Sequence, residues 1–261
     1  MDKIKSHKIP RLYVTTDLSA GAEIPLDQSQ SHYLGNVLRQ NTGASVLLFN
    51  GRDGEWRAEI NSLSKKGGSV QCHDQTREQV FCPDIWLVFA PVKKEGTDII
   101  IQKATELGVT RFCPVQMRRS VASRIKSDRV TSISIEAAEQ CERLDLPVQQ
   151  EMQSLPDILK NWPQDRVLLV CAETGQTDSL KTVLSEIVNN PAAVLIGPEG
   201  GFDPQELDLL SQQPFVRMVS LGPRVLRAET AALAVLACWQ VLAGDWDKPR
   251  KTVYIIHNKN P

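Results

Sequence analysis

Short apolar runs broken by turn residues dominate the first third of the chain. LYVTT (from Leu12), SVLLFN (from Ser45), EWRAEI (from Glu55) and SVQCHD (from Ser69) alternate or cluster strand formers, with Asn50-Gly51, Asp53-Gly54 and Gly67-Gly68 between them. One helical stretch, Ser29–Arg39, interrupts the series. The pattern predicts a small β-barrel with one helix over residues 1–75. Gln75–Pro83 has no period, ends in proline and reads as a linker. The rhythm then changes. Strands at Ile85–Ala90, Val109–Val115, Val167–Cys171, Ala193–Ile196 and Val216–Leu221 alternate with helices at Gly96–Leu107, Ser179–Asn189, Pro204–Ser211 and Glu229–Ala243. That alternation predicts an α/β domain whose parallel sheet is covered on both faces.

Two of these strands run into glycine- and proline-rich loops, in Ala192–Phe202 (AAVLIGPEGGF) and Ser220–Ala231 (SLGPRVLRAETA). Ligands of open α/β sheets collect beyond the carboxyl ends of strands, so the two loops read as walls of one pocket. GPEGGF lacks the GKS or GKT ending of a phosphate loop and the GxGxxG spacing of a dinucleotide site. It carries Glu199, so a cationic ligand, or one recognised through backbone groups, suits it better than phosphate. S-adenosylmethionine, with a sulfonium and an adenine, meets both conditions; a tight turn that merely uses the glycines is the alternative. In LGPRVLRAET, Arg224 and Arg227 border the pocket, where a guanidinium can fork to phosphate or to a carbonyl oxygen. Glu229, at the start of the following helix, also fits a simple response to the helix dipole.

Composition narrows the classes. The 261 residues are 41% hydrophobic and 23% charged, with a net charge of −1, which excludes a globally basic polyanion binder but not local basic surfaces. Arg111–Val130 concentrates six basic residues against Asp128 alone. Lys93 and Lys94 follow the first strand of the α/β part, and Lys65 and Lys66 occupy a barrel turn. Positive charge beside the inferred pocket fits phosphate positioning, although such a run also fits a solvated face. With 5% aromatic residues there is little stacking platform, so folded RNA, with a base flipped out, suits better than a single strand. The six cysteines are scattered without a CxxC pair, so reduced thiols and no metal site are expected. No apolar run follows the basic start Met1–Arg11, and Ala231–Gly244 is too short to span a bilayer. A cytoplasmic protein without a signal peptide or membrane segment is expected.

GPEGGF followed by LGPRVLRAETAAL resembles the SPOUT methyltransferases, and within them the ribosomal RNA small subunit methyltransferase E family. IQKATELGVTRFCPVQMRRS (Ile101–Ser120), AAEQCERLDLP (Ala137–Pro147), RLY, HYLGNVLR and LFNG match the same family in order, covering about Arg11 to Asp245. The resemblance implies a PUA-like, RNA-binding β-barrel (1–75) and a trefoil-knotted SPOUT domain (80–247). The tail (248–261) departs from the family by extending past its usual end; TVYIIH is read as a loosely attached surface segment, with an added strand, a dimer contact or a disordered tail as alternatives. It implies a homodimer that transfers a methyl group from S-adenosylmethionine to N3 of one uridine in helix 44 of 16S rRNA, on the small ribosomal subunit. The cofactor contacts it implies are Ala172, Glu173, Ile196, Gly197, Pro198, Gly200, Gly201, Leu221, Gly222, Val225 and Leu226, with adenine held by the backbone of Leu221, Gly222 and Leu226. RNA contacts are expected from Arg11, Arg39, Lys93, Lys94, Arg118, Arg119, Arg124, Gln140 and Arg143.

Uridine N3 is a protonated imide nitrogen, so attack needs the proton removed or the developing anion stabilised. Arg224 and Arg227 are the candidates for stabilising it and Glu199 and Glu229 for accepting the proton, with the base left open between them. Glu139 and Arg143 are read on one helix, where their spacing also fits an ordinary i,i+4 pair. The competing readings are a SPOUT relative acting on another RNA position such as a ribose 2′-hydroxyl, a non-catalytic ribosome-assembly factor, and, more distantly, a nicotinamide oxidoreductase.

Overall fold

The computed structural model describes residues 9–122, 124–173, 177–188 and 190–248. Lys3, Lys5, Lys8 and residues 249–261, with TVYIIH, lie outside the described residues. The chain divides into two compact units between Phe81 and Cys82.

The first unit contains β1 (Arg11–Tyr13), β2 (Glu23–Leu26), α1 (Gln28–His32), β3 (Ser45–Phe49), β4 (Glu55–Ser64) and β5 (Gly67–Arg77). The strands form one sheet in the order β1-β3-β4-β5-β2. β1 and β3 run parallel and the other pairs antiparallel. Alternate side chains such as Val46, Leu48, Ala58, Ile60 and Val70 are buried in one core with Leu12, Ile24 and Leu34. β2 was not expected, because it contains Pro25. Proline is tolerated there because β2 ends the sheet order and pairs with β5 alone. The predicted Ser29–Arg39 helix is two pieces. α1 opens on a reciprocal cap, Gln30 N–H to Asp27 Oδ1 at 2.8 Å and Asp27 N–H to Gln30 Oε1 at 3.0 Å. It passes into a π-helical turn, Tyr33–Val37, and the chain turns away at Arg39, whose φ is 54°.

The structure corrects one expectation here. Arg11 is only 5% exposed. Its Nε donates to Glu55 at 2.8 Å and its guanidinium lies 4.5 Å over the Phe49 ring. A cation enclosed in this way braces β1 against the neighbouring strands and is not presented to an RNA phosphate.

The second unit contains β6 (Ile85–Phe89), α2 (Lys94–Glu106), β7 (Arg111–Gln116), α3 (Ser127–Cys141), β8 (Val148–Gln149), β9 (Gln153–Ser154), α4 (Leu155–Lys160), β10 (Val167–Cys171), β11 (Asp178–Ser179), α5 (Leu180–Glu186), β12 (Ala192–Ile196), α6 (Pro204–Ser211), β13 (Val216–Ser220) and α7 (Ala228–Ala243). Every strand pairing is parallel, in the order β11-β13-β10-β12-β6-β7-β8, with β9 on β7. The strands read as unbroken apolar runs because both faces are covered. Leu87, Phe89, Leu169, Val194 and Ile196 pack with α2, α3, α5 and α7 on one face. Val88, Leu168, Val170 and Leu195 pack with α4 and α6 on the other.

A second correction concerns Arg143. α3 stops at Cys141 and Glu142 takes a left-handed φ of 67°, so Arg143 lies beyond the helix. It is 8% exposed and donates to Thr105 O at 2.8 Å, Val109 O at 3.1 Å and Asp145 at 3.2 Å. Those bonds tie the segment after α3 to the end of α2, leaving the guanidinium no access to RNA.

Candidate active site at the carboxyl ends of the strands

Neighbouring strands bring the loops after β13, β10, β12, β6 and β7 to one end of the sheet. β12 and β13 are not neighbours; each pairs with β10. The two glycine loops therefore flank the end of β10, where Ala172 is buried and Glu173 exposed.

The loop after β12 is shaped by Phe202. Its ring would stand 2.8 Å from any Cβ at Gly197, so only glycine lets the ring close on the backbone. Gly201 N–H bonds Pro198 O at 2.9 Å and Gly201 has φ +71°. Pro198 is buried, while Glu199 and Gly200 are exposed. The loop ends on Asp203, which caps α6 by accepting from Gln205 N–H at 3.1 Å.

Sequence reasoning missed the residue that joins this loop to the next. Glu206 is 6% exposed, and its carboxylate accepts Asp203 N–H at 3.1 Å and, from the loop after β7, Arg118 N–H at 2.8 Å. The signal was present as D-P-Q-E (Asp203–Glu206), a capping box with proline at the first helical position. The loop after β7 closes on itself through Met117 N–H to Ser120 Oγ at 3.0 Å. From it Arg119 reaches back, donating to Gly200 O at 3.2 Å and standing 3.6 Å from Asp203.

In the loop after β13, Gly222 N–H donates to Ser220 Oγ at 3.2 Å. Gly222 has φ +103° with no atom within 4 Å of where a Cβ would stand. Leu221 and Leu226 are half-buried, and Val225 is 78% exposed. Arg224 and Arg227 are exposed, and neither makes an ion pair among the described residues. Glu229 is half-buried and turned towards α2, its carboxylate oxygen 3.6 Å from where a Gly96 Cβ would be. That orientation, in the first turn of α7 and against α2, favours a structural role.

The basic run of Arg111–Val130 separates into two groups. Arg111 lies 4.5 Å over Trp86 near the amino end of the sheet, Arg129 is ion-paired with Asp98, and Arg119 is held by the glycine loop. The Arg129 hydrogen bond holds the Asp98 carboxyl below its ordinary range. Arg118, Arg124 and Lys126 stand exposed, as do Lys93 and Lys94 after β6. Gln140, on α3, and Arg39, in the first unit, are also exposed. Cys171, beside Ala172, is no candidate nucleophile, because burial pushes its thiol up to about 12. An open groove of about 740 Å³ lies in the first unit, lined by Asp27, His32, Asn36 and Lys65 among others. It is remote in sequence from every expected catalytic and cofactor residue, so the strand ends remain the candidate site.

Comparison with known proteins agrees with this geometry. The family model of an RNA methyltransferase PUA domain matches residues 26–71, and that of an RNA methyltransferase domain matches residues 81–240. Fold and site thus define the class, an RNA methyltransferase with a PUA domain. The ribosomal RNA small subunit methyltransferase E of Rickettsia conorii is 33% identical over 232 residues, covering 88% of this chain and 94% of that protein. The protein of that name from Synechocystis is 35% identical, covering 87% and 76%. The crystal structure of the Neisseria gonorrhoeae ribosomal RNA small subunit methyltransferase E bound to S-adenosyl methionine superposes with a TM-score of 0.80 at 28% identity, covering 92% of this chain and 100% of that one. The chain belongs to the ribosomal RNA small subunit methyltransferase E family.

Proposed function

We propose that this chain binds S-adenosylmethionine at the carboxyl ends of β10, β12 and β13 and methylates N3 of a uridine in helix 44 of 16S rRNA. The observation that carries the reading is the pair Arg224 and Arg227, exposed and without ion-pair partners among the described residues, beside half-buried Leu221 and Leu226. The residues fit the cofactor. Open space at Gly222 leaves the loop backbone free to bond an adenine edge. Leu221, Val225 and Leu226 offer apolar surface to its face, and Ala172 and Ile196 an apolar floor. Glu173 and Glu199 make the rim negative, which suits a sulfonium, and Gly197, Pro198, Gly200 and Gly201 complete the wall.

When bound, S-adenosylmethionine supplies a methyl group whose carbon–sulfur bond breaks as uridine N3 takes it. The chain must then remove the N3 proton and stabilise the imide anion. Glu199 is exposed in the loop and is our candidate to accept that proton, since Glu229 is turned to the first turn of α2. Arg224 and Arg227 stabilise negative charge on the uracil carbonyl oxygens, and a preorganised donor of this kind contributes about 3 kcal/mol to a transition state. Lys93, Lys94, Arg118, Arg124 and Gln140 position the RNA backbone, and Arg39 does so from the PUA domain.

We also read the second unit as a trefoil-knotted SPOUT domain. The family membership supports this, together with the adjacency of β13, β10 and β12, which brings their three loops to one end of the sheet. A cytoplasmic homodimer completes the reading, supported by α7, which is apolar nearly all round and ends with Val241, Leu242 and, just beyond, Trp246 at 64%, 40% and 54% exposure. Among the described residues no helix is long and apolar enough to cross a membrane.

The test is nucleoside mass spectrometry after incubating the protein and S-adenosylmethionine with small ribosomal subunits from a strain that lacks the modification. N3-methyluridine, lost in Arg227→Ala, is the expected product. A different methylated nucleoside would overturn the specificity, and absence of cofactor binding would overturn the reading of the site.

A further inference from the structure

Arg119 is the cation of the basic run that faces the glycine loop. Its guanidinium donates to Gly200 O at 3.2 Å and lies 3.6 Å from the Asp203 carboxylate, so it reaches both the tip of the loop and its C-terminal post. The backbone is fitted to this contact as well. A Cβ at Gly200 would stand 3.2 Å from Arg119 Cβ and 3.5 Å from Arg119 O. The adjoining peptide is fixed from the other side, since Arg118 N–H donates to the buried Glu206 carboxylate that also caps Asp203. Arg118 therefore presents its side chain outward from a backbone anchored to α6, while Arg119 turns its own inward along the loop.

We propose that Arg119 is a positioning residue for the Gly197–Phe202 loop, acting on cofactor affinity, and is not an RNA contact. The inference rests on the reading that this loop lines the S-adenosylmethionine site. Without the Arg119 donor, Gly200 O has lost its side-chain partner and the two glycines at 200 and 201 leave the loop tip many conformations. Ordering that tip on binding then weakens affinity. The ion pair is half-exposed, so its contribution to global stability is small, which separates a positioning role from a folding role.

The experiment measures two affinities separately. S-adenosylmethionine binding is followed by calorimetry without RNA, and binding to small ribosomal subunits by filter retention without cofactor. Arg119→Ala is expected to raise the cofactor dissociation constant roughly 3- to 10-fold, with RNA affinity and melting temperature unchanged. Arg119→Lys is expected to recover part of the loss, because an ammonium can reach the Asp203 carboxylate but lacks the planar fork needed to bond Gly200 O at the same time. Asp203→Asn keeps the helix cap and removes only the charge, so it should raise the constant less and be non-additive with Arg119→Ala. Unchanged cofactor affinity with about tenfold weaker RNA binding in Arg119→Ala would overturn the proposal and return Arg119 to the RNA-contacting cations. Failure of the unmodified protein to bind S-adenosylmethionine would instead strike the reading of the site itself.

Discussion

At the amino ends of the parallel strands Arg166 lies 3.8 Å over Trp86, donates to Ala192 O at 2.9 Å and pairs with Asp84. At the carboxyl ends Arg224 and Arg227 stand exposed without ion-pair partners among the described residues. The same side chain serves opposite purposes at the two ends of one sheet. At the amino end Thr110 Oγ1 donates to Asp84 at 3.0 Å, Trp162 donates to Arg166 O at 2.8 Å, and Trp162 stacks on Phe215 at 5.9 Å. These contacts join the starts of β6, β7, β10, β12 and β13. At the carboxyl end the contacts run between loops, through Glu206 and Arg119, and leave cations unspent. An end whose arginine is held by a carbonyl, a carboxylate and a ring fixes the strands; an end whose cations are exposed and free of ion pairs can meet a charge that appears only during a reaction.

The largest effect should come from the open end. Arg227→Ala is expected to lower the single-turnover methylation rate by about 10²–10³-fold, as loss of a preorganised donor does, without moving the urea midpoint. Its side chain makes no cap bond to α7, so stability has no stake in it. Unchanged turnover would collapse the contrast between the ends.

The complementary change comes next. Arg166→Ala removes a side chain that is 7% exposed, leaves Ala192 O without that donor and uncovers Trp86. A loss of about 3 kcal/mol in urea unfolding is expected, with the rate per folded molecule preserved. If turnover fell with stability, the two ends would be one coupled network.

Much of this arrangement was legible in the chain. Apolar runs broken by glycine and proline located β12 and β13 and their loops; β12 is apolar throughout because it is buried on both faces, while β13 carries the half-exposed Arg217 within its run. Which arginines were available was not legible. Arg11, Arg111, Arg143 and Arg227 look alike as letters. Burial against Glu55, Trp86 or the Val109 carbonyl depends on residues 44, 25 and 34 positions away. β2 was hidden by Pro25, whose tolerance depends on being at the end of the sheet, and the division of the Ser29–Arg39 helix into two pieces by a π-helical turn that periodicity does not encode. Glu206 carries a legible signal, the capping box D-P-Q-E, but its second bond, to Arg118 N–H, spans 88 positions and is not encoded locally.

A smaller effect probes the backbone of the open end. Gly222→Ala forces a side chain onto a φ of +103° but into empty space. The expected cost is about 1 kcal/mol of strain in urea unfolding, without the additional penalty of a steric clash. A cost of several kcal/mol would mean that this loop is packed and the end is not open.

The smallest effect is electrostatic and belongs to the amino end. Burial works against the charged form of Asp84, yet the hydrogen bond and charge of Arg166, with bonds from Thr110 and Trp86, outweigh it and hold the carboxyl below its ordinary value. A lowered carboxyl stabilises the fold fully above its unfolded value of about 3.9, and the contribution is lost as pH falls through the lowered value. The Asp84 side chain is 54% exposed, and solvent screening limits the effect to less than about 1 kcal/mol. Urea midpoints of the unmodified protein and Asp84→Asn should therefore differ above pH 5 and converge as pH falls below about 3.9. A constant difference across that range would mean that Asp84 acts by shape and hydrogen bonding, and that the bracing of this end owes nothing to charge.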